Sequence, residues 1–196
     1  MKKLLFILPV IMLLTDYGVT GQDKTEPAGI RPAIVVIDIQ NQFLPMIPES
    51  EKQLALYMIN EYIDYFRALG FPVIRIYHTD PQWGPNPDSA GFQFPASVHI
   101  KSTDAMIIKN YPDAFKKTNL EKILLEKKCN TLFLCGLSSV GCVLATYFGA
   151  KNADFNAFMI RNAVMSHNST FTNNIQDILN ALDFEAIDLM LKNAER

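Results

Sequence analysis

The sequence has no excess of positive charge and few cysteines, and these two features exclude several classes of protein. Its 18 lysines and arginines face 20 aspartates and glutamates, which gives a formal net charge of -2 and a pI near 5.9. A nucleic acid or an anionic membrane surface needs a basic face on its partner, so we expect neither as a partner here. The sequence has only three cysteines and no Cys-x-x-Cys pair, so a redox-active dithiol is poorly supported.

The chain also lacks internal repeats, low-complexity tracts and any linker beyond its first 31 residues. Its composition of 49% hydrophobic and 19% charged residues is typical of a globular domain with one core. We therefore assign residues 32–196 to a single domain and the polar residues 22–31 to a linker that precedes it.

The first 21 residues differ from the rest of the chain. Lys2 and Lys3 precede an apolar run at residues 4–14, and small residues follow up to Gly21. This pattern predicts a cleaved secretory signal peptide at residues 1–21 and a periplasmic or secreted mature protein. The apolar run is shorter than the roughly 18 to 20 residues that span a bilayer, and no cysteine follows it for lipid attachment. We therefore expect no stable membrane anchor.

Short apolar runs alternate with helical stripes between residues 32 and 189. Strands are predicted at 32–38, 71–78, 105–109, 131–136, 154–160 and 184–189, and helices at 50–69, 118–127, 141–150 and 173–182. The alternation predicts a three-layer α/β/α domain with a six-stranded, mostly parallel sheet. Such sheets bind ligands beyond the carboxyl ends of their strands. A long irregular segment at 79–103 is also expected to be functional.

Three residues with useful chemistry lie at that predicted edge of the sheet. Asp38 ends the first strand, Lys109 ends the third, and Cys142 begins the helix after the fourth. Each has an ordinary alternative role: Asp38 could cap the following segment, Lys109 could be a solvated strand end, and Cys142 could be a thiol packed in the core. Their shared position at one edge nevertheless predicts a common site. Cys129 and Cys135 flank a strand at a spacing too long for a disulfide, so we expect both to be buried thiols.

Three segments resemble the isochorismatase-like cysteine hydrolases, a family that includes nicotinamidases and N-carbamoyl amidohydrolases. They are AIVVIDIQNQF (33–43), IIKNYPDAFKKTNL (107–120) and GLSSVGCVLAT (136–146). The resemblance implies a Rossmann-like sheet with helices on both faces and a catalytic triad of Asp38, Lys109 and Cys142. It further implies an oxyanion hole formed by the N–H groups of Ser138 and Cys142, with a cis peptide bond between Leu137 and Ser138.

The chemistry of a thiol nucleophile fits these residue types. A free thiol has a pKa of about 8.5, so a reactive cysteine needs a cation, a helix N-terminus or a base beside it. We expect the helix N-terminus and Lys109 to favour the thiolate of Cys142. Asp38 would accept the thiol proton and return it to the leaving amine.

Substrate contacts are expected from the long loop and from side chains near the predicted triad, whereas the expectation about a metal comes from the family resemblance. The residues that we predict to contact substrate are Gln40, Phe43, His78, Trp83 and Tyr111. For each aromatic residue among them, the alternative is packing in the core. Several relatives bind a metal through an Asp-x-His pair and further histidines. This chain has three histidines and reads His78-Thr79-Asp80 instead, so we predict no metal and no other cofactor.

The leading functional prediction is an exported cysteine hydrolase. It would cleave a C–N bond in a small amide, carbamoyl or ureido compound through a thioester on Cys142. One alternative is an isochorismatase-type hydrolase of another small molecule, although such relatives lack the cysteine. A second alternative is a catalytically idle protein of the same fold that binds a small molecule. The resemblance also suggests a possible homo-oligomer.

Overall fold

Five parallel strands form the central sheet of this computed structural model, which describes residues 29–195. In chain order the elements are β1 (Pro32–Ile37), α1 (Glu49–Ala68), β2 (Val73–His78), β3 (Ala105–Lys109), α2 (Leu120–Glu126), β4 (Thr131–Leu137), α3 (Cys142–Asn152), β5 (Asn156–Met165), α4 (Ser169–Ile178) and α5 (Phe184–Lys192). The strand order in the sheet is β3-β2-β1-β4-β5. The predicted signal peptide and residues 22–28 of the predicted linker lie outside the described residues. Between residues 29 and 195, no helix has the length and apolarity to cross a membrane.

The sheet is covered by helices on both faces. All six residues of β1 are buried, because successive side chains enter cores on opposite faces. Ile34 and Val36 pack in the core that contains α1 and α5. Ala33, Val35 and Ile37 pack in the core that contains α2 and α3. The predicted single three-layer α/β/α domain is therefore confirmed.

The predicted sixth strand is wrong, because residues 184–189 begin α5 instead. The Asp183 carboxylate accepts a hydrogen bond from the N–H of Ala186 at 3.0 Å and so caps the helix. Ile187 and Leu191 are buried on one face of α5, one turn apart. Within six residues this stripe cannot be distinguished from a short buried strand, and the spacing to Leu191 is needed to reveal the helical period.

β5 is longer than the strand predicted at 154–160. Its pairing with β4 shifts register between Leu134 and Gly136, and Asn162 adopts a positive φ of 63°. The polar pair Arg161-Asn162 lies at this irregularity, beyond which the strand resumes and ends at Met165. The residues after Met165 therefore lie at the same sheet edge as the end of β4.

One glycine allows β1 and β4 to approach each other at this edge. Gly136 has a φ of 114°, and a Cβ built on it would lie 2.1 Å from the carbonyl oxygen of Ile37. Any side chain there would collide with the backbone of β1. Since Asp38 directly follows Ile37, this contact sets the distance between the two strands where the candidate site lies.

Candidate active site

Strand register brings three of the predicted site residues to one edge. Ile37 of β1 pairs with Ile76 of β2, and His78 of β2 pairs with Lys109 of β3. Asp38, which has a left-handed φ of 52°, donates its N–H to the carbonyl oxygen of Ile76 at 3.0 Å. The side chains of Asp38, His78 and Lys109 therefore meet beyond the carboxyl ends of adjacent strands.

Asp38 and Lys109 form a buried ion pair. Lys109 is 0% exposed and Asp38 is 2% exposed. Lys109 Nζ lies 2.6 Å from Asp38 Oδ2 and 3.3 Å from His78 Nδ1. Asp38 Oδ1 is buried and has no hydrogen-bond partner among residues 29–195, so it is the oxygen that can accept a proton. Burial raises the pKa of Asp38 above its usual range, although the Lys109 ammonium opposes the shift.

The thiol of Cys142 lies beside this pair. Cys142 is the first residue of α3, and one polar atom each from Asp38, His78 and Cys142 lie within 4.8 Å of one another. Burial, reinforced by the Asp38 carboxylate and opposed by Lys109, raises the pKa of Cys142 to about 12. The resting thiol is thus protonated at neutral pH. The expected effect of Lys109 in favour of the thiolate is present but is outweighed by burial.

The pKa of His78 is shifted in the direction that keeps the imidazole neutral. Its burial and the adjacent Lys109 ammonium lower the pKa, against the weaker opposite effects of Asp38 and Asp80. With the imidazole neutral, Nδ1 can accept a hydrogen bond from Lys109 Nζ. His78 therefore helps to orient the ammonium group.

The turn between β4 and α3 presents two free backbone donors. The peptide bond between Leu137 and Ser138 is cis. The carbonyl oxygen of Ser138 accepts from the N–H groups of Gly141 and Val143 at 2.9 and 3.1 Å, which closes the turn. Within the described part of the chain, no protein acceptor engages the N–H of Ser138 or of Cys142. Both are thus available to an oxyanion.

A cavity of about 350 Å³ opens above these groups. Residues from several strand ends and from the turn after β1 line it: Asp38, Phe43, Met46, Ile47, His78, Leu137, Ser138, Cys142 and His167. The Phe43 and His78 rings lie 6.3 Å apart, centroid to centroid. The cavity is large enough for a small molecule, and Cys142 lies on its wall.

Two of the five predicted substrate residues line the cavity, namely Phe43 and His78. The other three lie elsewhere. Gln40 is buried and its amide is occupied by the backbone of His78, donating to the carbonyl oxygen at 3.0 Å and accepting from the N–H at 2.8 Å. Trp83 is 83% exposed. Tyr111 accepts a hydrogen bond from Lys117 Nζ at 3.1 Å. Gln40 therefore joins the segment after β1 to the end of β2, and the two aromatic residues lie away from the cavity walls.

Four cavity residues were not predicted: Met46, Ile47, Leu137 and His167. The sequence prediction lacks His167 because it ends the fifth strand at Ile160, whereas β5 continues to Met165. Extending that strand across its polar irregularity would have placed His167 at the functional edge. Met46 and Ile47 carry no signal in the sequence, since their position depends on how the turn after β1 folds back.

Among residues 29–195, no cluster of metal-ligating side chains lies apart from the candidate site. The three donors that lie close together, Asp38, His78 and Cys142, belong to the triad region. Lys109 Nζ already contacts the carboxylate and the imidazole, so a cation at the same place would be repelled. The Asp80 carboxylate instead accepts from the N–H groups of Gln82 and Trp83 in a local turn.

Comparison with known proteins identifies relatives of this chain. The Isochorismatase domain family model matches residues 32–181. The uncharacterized isochorismatase family protein YddQ of Bacillus subtilis (strain 168) is 31% identical over 123 residues. That alignment covers 58% of this chain and 66% of the relative, slightly less than two thirds of its length.

Solved structures share the fold at low sequence identity. A putative isochorismatase from Burkholderia xenovorans LB400 superimposes with a TM-score of 0.75 at 22% identity, covering 85% of this chain and 90% of that one. A zinc complex of pyrazinamidase from Pyrococcus horikoshii gives 0.69 at 23% identity, covering 79% and 99%. N-carbamoylsarcosine amidase from Thermoplasma acidophilum gives 0.68 at 23% identity, covering 79% and 95%.

Replacing Lys109 with methionine should destabilise the fold in a pH-dependent way. Without the ammonium, the raised pKa of Asp38 rises further, so burying its ionised form becomes more costly. At a pH low enough to protonate Asp38 in both folded proteins, the two do not differ through this group. Once the pH exceeds the raised pKa that Asp38 has in the folded wild type, the deficit of the variant grows with pH. We expect the deficit in unfolding free energy, measured by urea denaturation, to increase from acidic to neutral pH and to reach about 3 to 5 kcal/mol.

The double variant Asp38→Asn/Lys109→Met is the matched control. It removes both charges, so it should recover part of the lost stability and lose the extra pH dependence. If Lys109→Met loses the same unfolding free energy at acidic and at neutral pH, then Asp38 carries no charge in the folded wild type.

Proposed function

Because the chain belongs to the isochorismatase family, we propose that it is a cysteine hydrolase that cleaves a C–N bond in a small amide, carbamoyl or ureido compound. The observation that carries this proposal is the free oxygen of Asp38 beside the Cys142 thiol, on the wall of one cavity. Two structural relatives with amidase activity in their names, the pyrazinamidase and the N-carbamoylsarcosine amidase, support it.

The geometry is suited to acyl transfer through a thioester. Cys142 Sγ attacks the substrate carbonyl carbon while its proton passes to Asp38 Oδ1. The oxyanion that forms accepts hydrogen bonds from the N–H groups of Ser138 and Cys142. When this intermediate collapses, the C–N bond breaks and the nitrogen leaves with the proton from Asp38. Lys109 holds the carboxylate in place throughout.

Water completes the cycle by attacking the thioester. Asp38 takes a proton from that water, the hydroxyl adds to the carbonyl carbon, and the same two N–H groups hold the oxyanion. The C–S bond then breaks, the acid product leaves and the proton returns to Cys142. The raised pKa of Asp38 favours this role, because a carboxylate with a higher pKa is a better proton acceptor.

The cavity favours an uncharged substrate. Its walls are largely apolar, with Phe43, Met46, Ile47 and Leu137 around the polar triad. Within residues 29–195, no lysine or arginine lines the cavity, and Lys109 is committed to Asp38. A carboxylate on the substrate would thus be desolvated without a partner. The proposed substrate is a neutral amide or urea small enough for about 350 Å³.

Replacement of Cys142 with alanine should reduce turnover of amide substrates by about a thousandfold or more, because it removes the nucleophile. Cys129→Ala is the matched control, since that thiol is buried away from the cavity. Intact-mass spectrometry of the wild type during turnover should show an acyl adduct that disappears in Cys142→Ala. Retained activity in that variant, with a wild-type rate, would eliminate the thioester mechanism.

Two substrates that differ only by one carboxylate should be hydrolysed with different efficiency, and the uncharged one should be preferred. We expect kcat/KM for a neutral N-carbamoyl amine to exceed that for the N-carbamoyl amino acid of the same skeleton by about 100-fold, since the acid buries an unpaired charge. Met46→Arg supplies a cation at the exposed cavity mouth and should narrow this ratio, whereas Met46→Gln should not. A wild-type preference for the anionic member would contradict the proposal.

We further propose that the protein is exported and that residues 1–21 are removed. The support is the charge and hydropathy pattern of those residues. We compare expression of the full chain with expression of a variant that lacks residues 2–21, and we expect only the protein made from the full chain to be found outside the cytoplasm. N-terminal sequencing of the exported form should begin near Gln22. An intact precursor that stays in the cytoplasm would contradict export.

A further inference from the structure

We propose that Glu51 is a positioning residue for the oxyanion turn and acts on it through the hydroxyl groups of Thr172 and Ser139. The inference rests on the function proposed above, since the turn matters for catalysis only if an oxyanion forms there. Neither Glu51 nor Thr172 touches the cavity. Both lie instead on helices that pack behind the turn, in α1 and α4.

Two groups donate hydrogen bonds to the Glu51 carboxylate, and one of them extends the contact to Ser139. Its Oε1 accepts from the hydroxyl of Thr172 at 2.6 Å and from the N–H of Ser166, just after β5, at 2.9 Å. The Thr172 hydroxyl oxygen in turn lies 3.1 Å from the hydroxyl of Ser139 and 2.9 Å from that of Ser166. The carboxylate on α1 is thereby connected to the residue that follows Ser138.

The direction of the chain of hydrogen bonds follows from counting protons. A threonine hydroxyl has one proton to donate, and the charged carboxylate is its strongest acceptor. Thr172 therefore donates to Glu51 and can only accept from Ser139. The hydroxyl of Ser139 has no other hydrogen-bond partner in the described part of the chain, so its orientation depends on this acceptor.

Ser139 fixes the turn at two points. Its hydroxyl donates to Thr172, and its N–H donates to the carbonyl oxygen of Met165 at 2.8 Å. Since Ser139 is bonded to Ser138, these contacts hold the peptide unit next to the first oxyanion donor. The second donor, Cys142, is tied to Ser138 through the closed turn. A shift of Ser139 would therefore misplace both N–H groups together.

A purely structural role explains the Glu51 charge poorly. Its second oxygen, Oε2, is buried and has no hydrogen-bond partner within residues 29–195, which is costly for a carboxylate. The position of Glu51 in the first turn of α1 offsets part of that cost, because the helix dipole favours an anion there. The charge has a function if the Glu51 carboxylate serves as the strong acceptor that orients the hydroxyl groups of Thr172 and Ser139.

Substitution of Thr172 tests the chain of hydrogen bonds with little change of shape. Thr172→Val removes the hydroxyl, and Thr172→Ser keeps it. We expect Thr172→Val to lower kcat by about 10- to 100-fold with KM within about twofold, since misplaced oxyanion donors affect the transition state more than the bound amide. Thr172→Ser should retain most of kcat. Thr170→Val, an exposed change on the same helix, should have no effect.

A second pair of variants tests the carboxylate. Glu51→Gln keeps an oxygen that can accept from Thr172, whereas Glu51→Met keeps only the length of the side chain. Glu51→Met should therefore reproduce the loss in kcat seen for Thr172→Val, and Glu51→Gln should lose less. Urea denaturation of each variant reports whether the fold is retained.

Amide hydrogen exchange gives a readout that does not need turnover. In Thr172→Val and Glu51→Met, the peptide that spans residues 138–142 should exchange faster than in the wild type, while peptides from β1 and β2 stay unchanged. Unchanged exchange and unchanged kcat in a folded Thr172→Val would overturn the inference. If the wild type hydrolyses no amide, the proposed function fails, and the exchange comparison still decides whether Glu51 orders the turn.

Discussion

The buried ion pair between Asp38 and Lys109 is the interaction on which the site depends. Neither charge is exposed to any useful extent, so each is tolerated only because the other lies 2.6 Å away. That distance requires the ends of β1 and β3 to be held in register by β2 between them. The sheet therefore has two roles: it buries apolar side chains, and its strand pairing places Asp38 beside Lys109. With Oδ2 committed to the ammonium, Oδ1 of Asp38 is left for the proton of the thiol.

The site has two halves that come from different parts of the sheet. In the proposed mechanism, the half that transfers protons lies on β1, β2 and β3, and the half that would bind the oxyanion lies on the turn after β4. Gly136 allows the halves to meet, because only a residue without Cβ can approach the carbonyl oxygen of Ile37 so closely. The Glu51 hydrogen-bond chain holds the second half from behind, where it has no access to substrate. This division separates the placement of the base from the placement of the oxyanion donors.

Sequence patterns located most of the fold and the centre of the site, and the failures have identifiable causes. Five of the six predicted strands are present, because continuous apolar runs are typical of parallel strands that are buried on both faces. The segment at 184–189 failed because its apolar spacing fits both periods over so short a length. The predicted fifth strand is too short because Arg161 and Asn162 resemble a polar strand end, although β5 continues through them. That error also removed His167 from the predicted site.

The sequence by itself determined the layer architecture, the family resemblance and the order in which Asp38, Lys109 and Cys142 occur along the chain. These properties depend on local residue types or on the periodicity of apolar residues, and both can be read from the amino-acid sequence. Only the tertiary structure decided that the Cys142 thiol is protonated at rest, that Gln40 joins two strands, and that Glu51 connects to Ser139. The physical reason is that burial and hydrogen-bond direction depend on neighbours far apart in the chain, which no local pattern records.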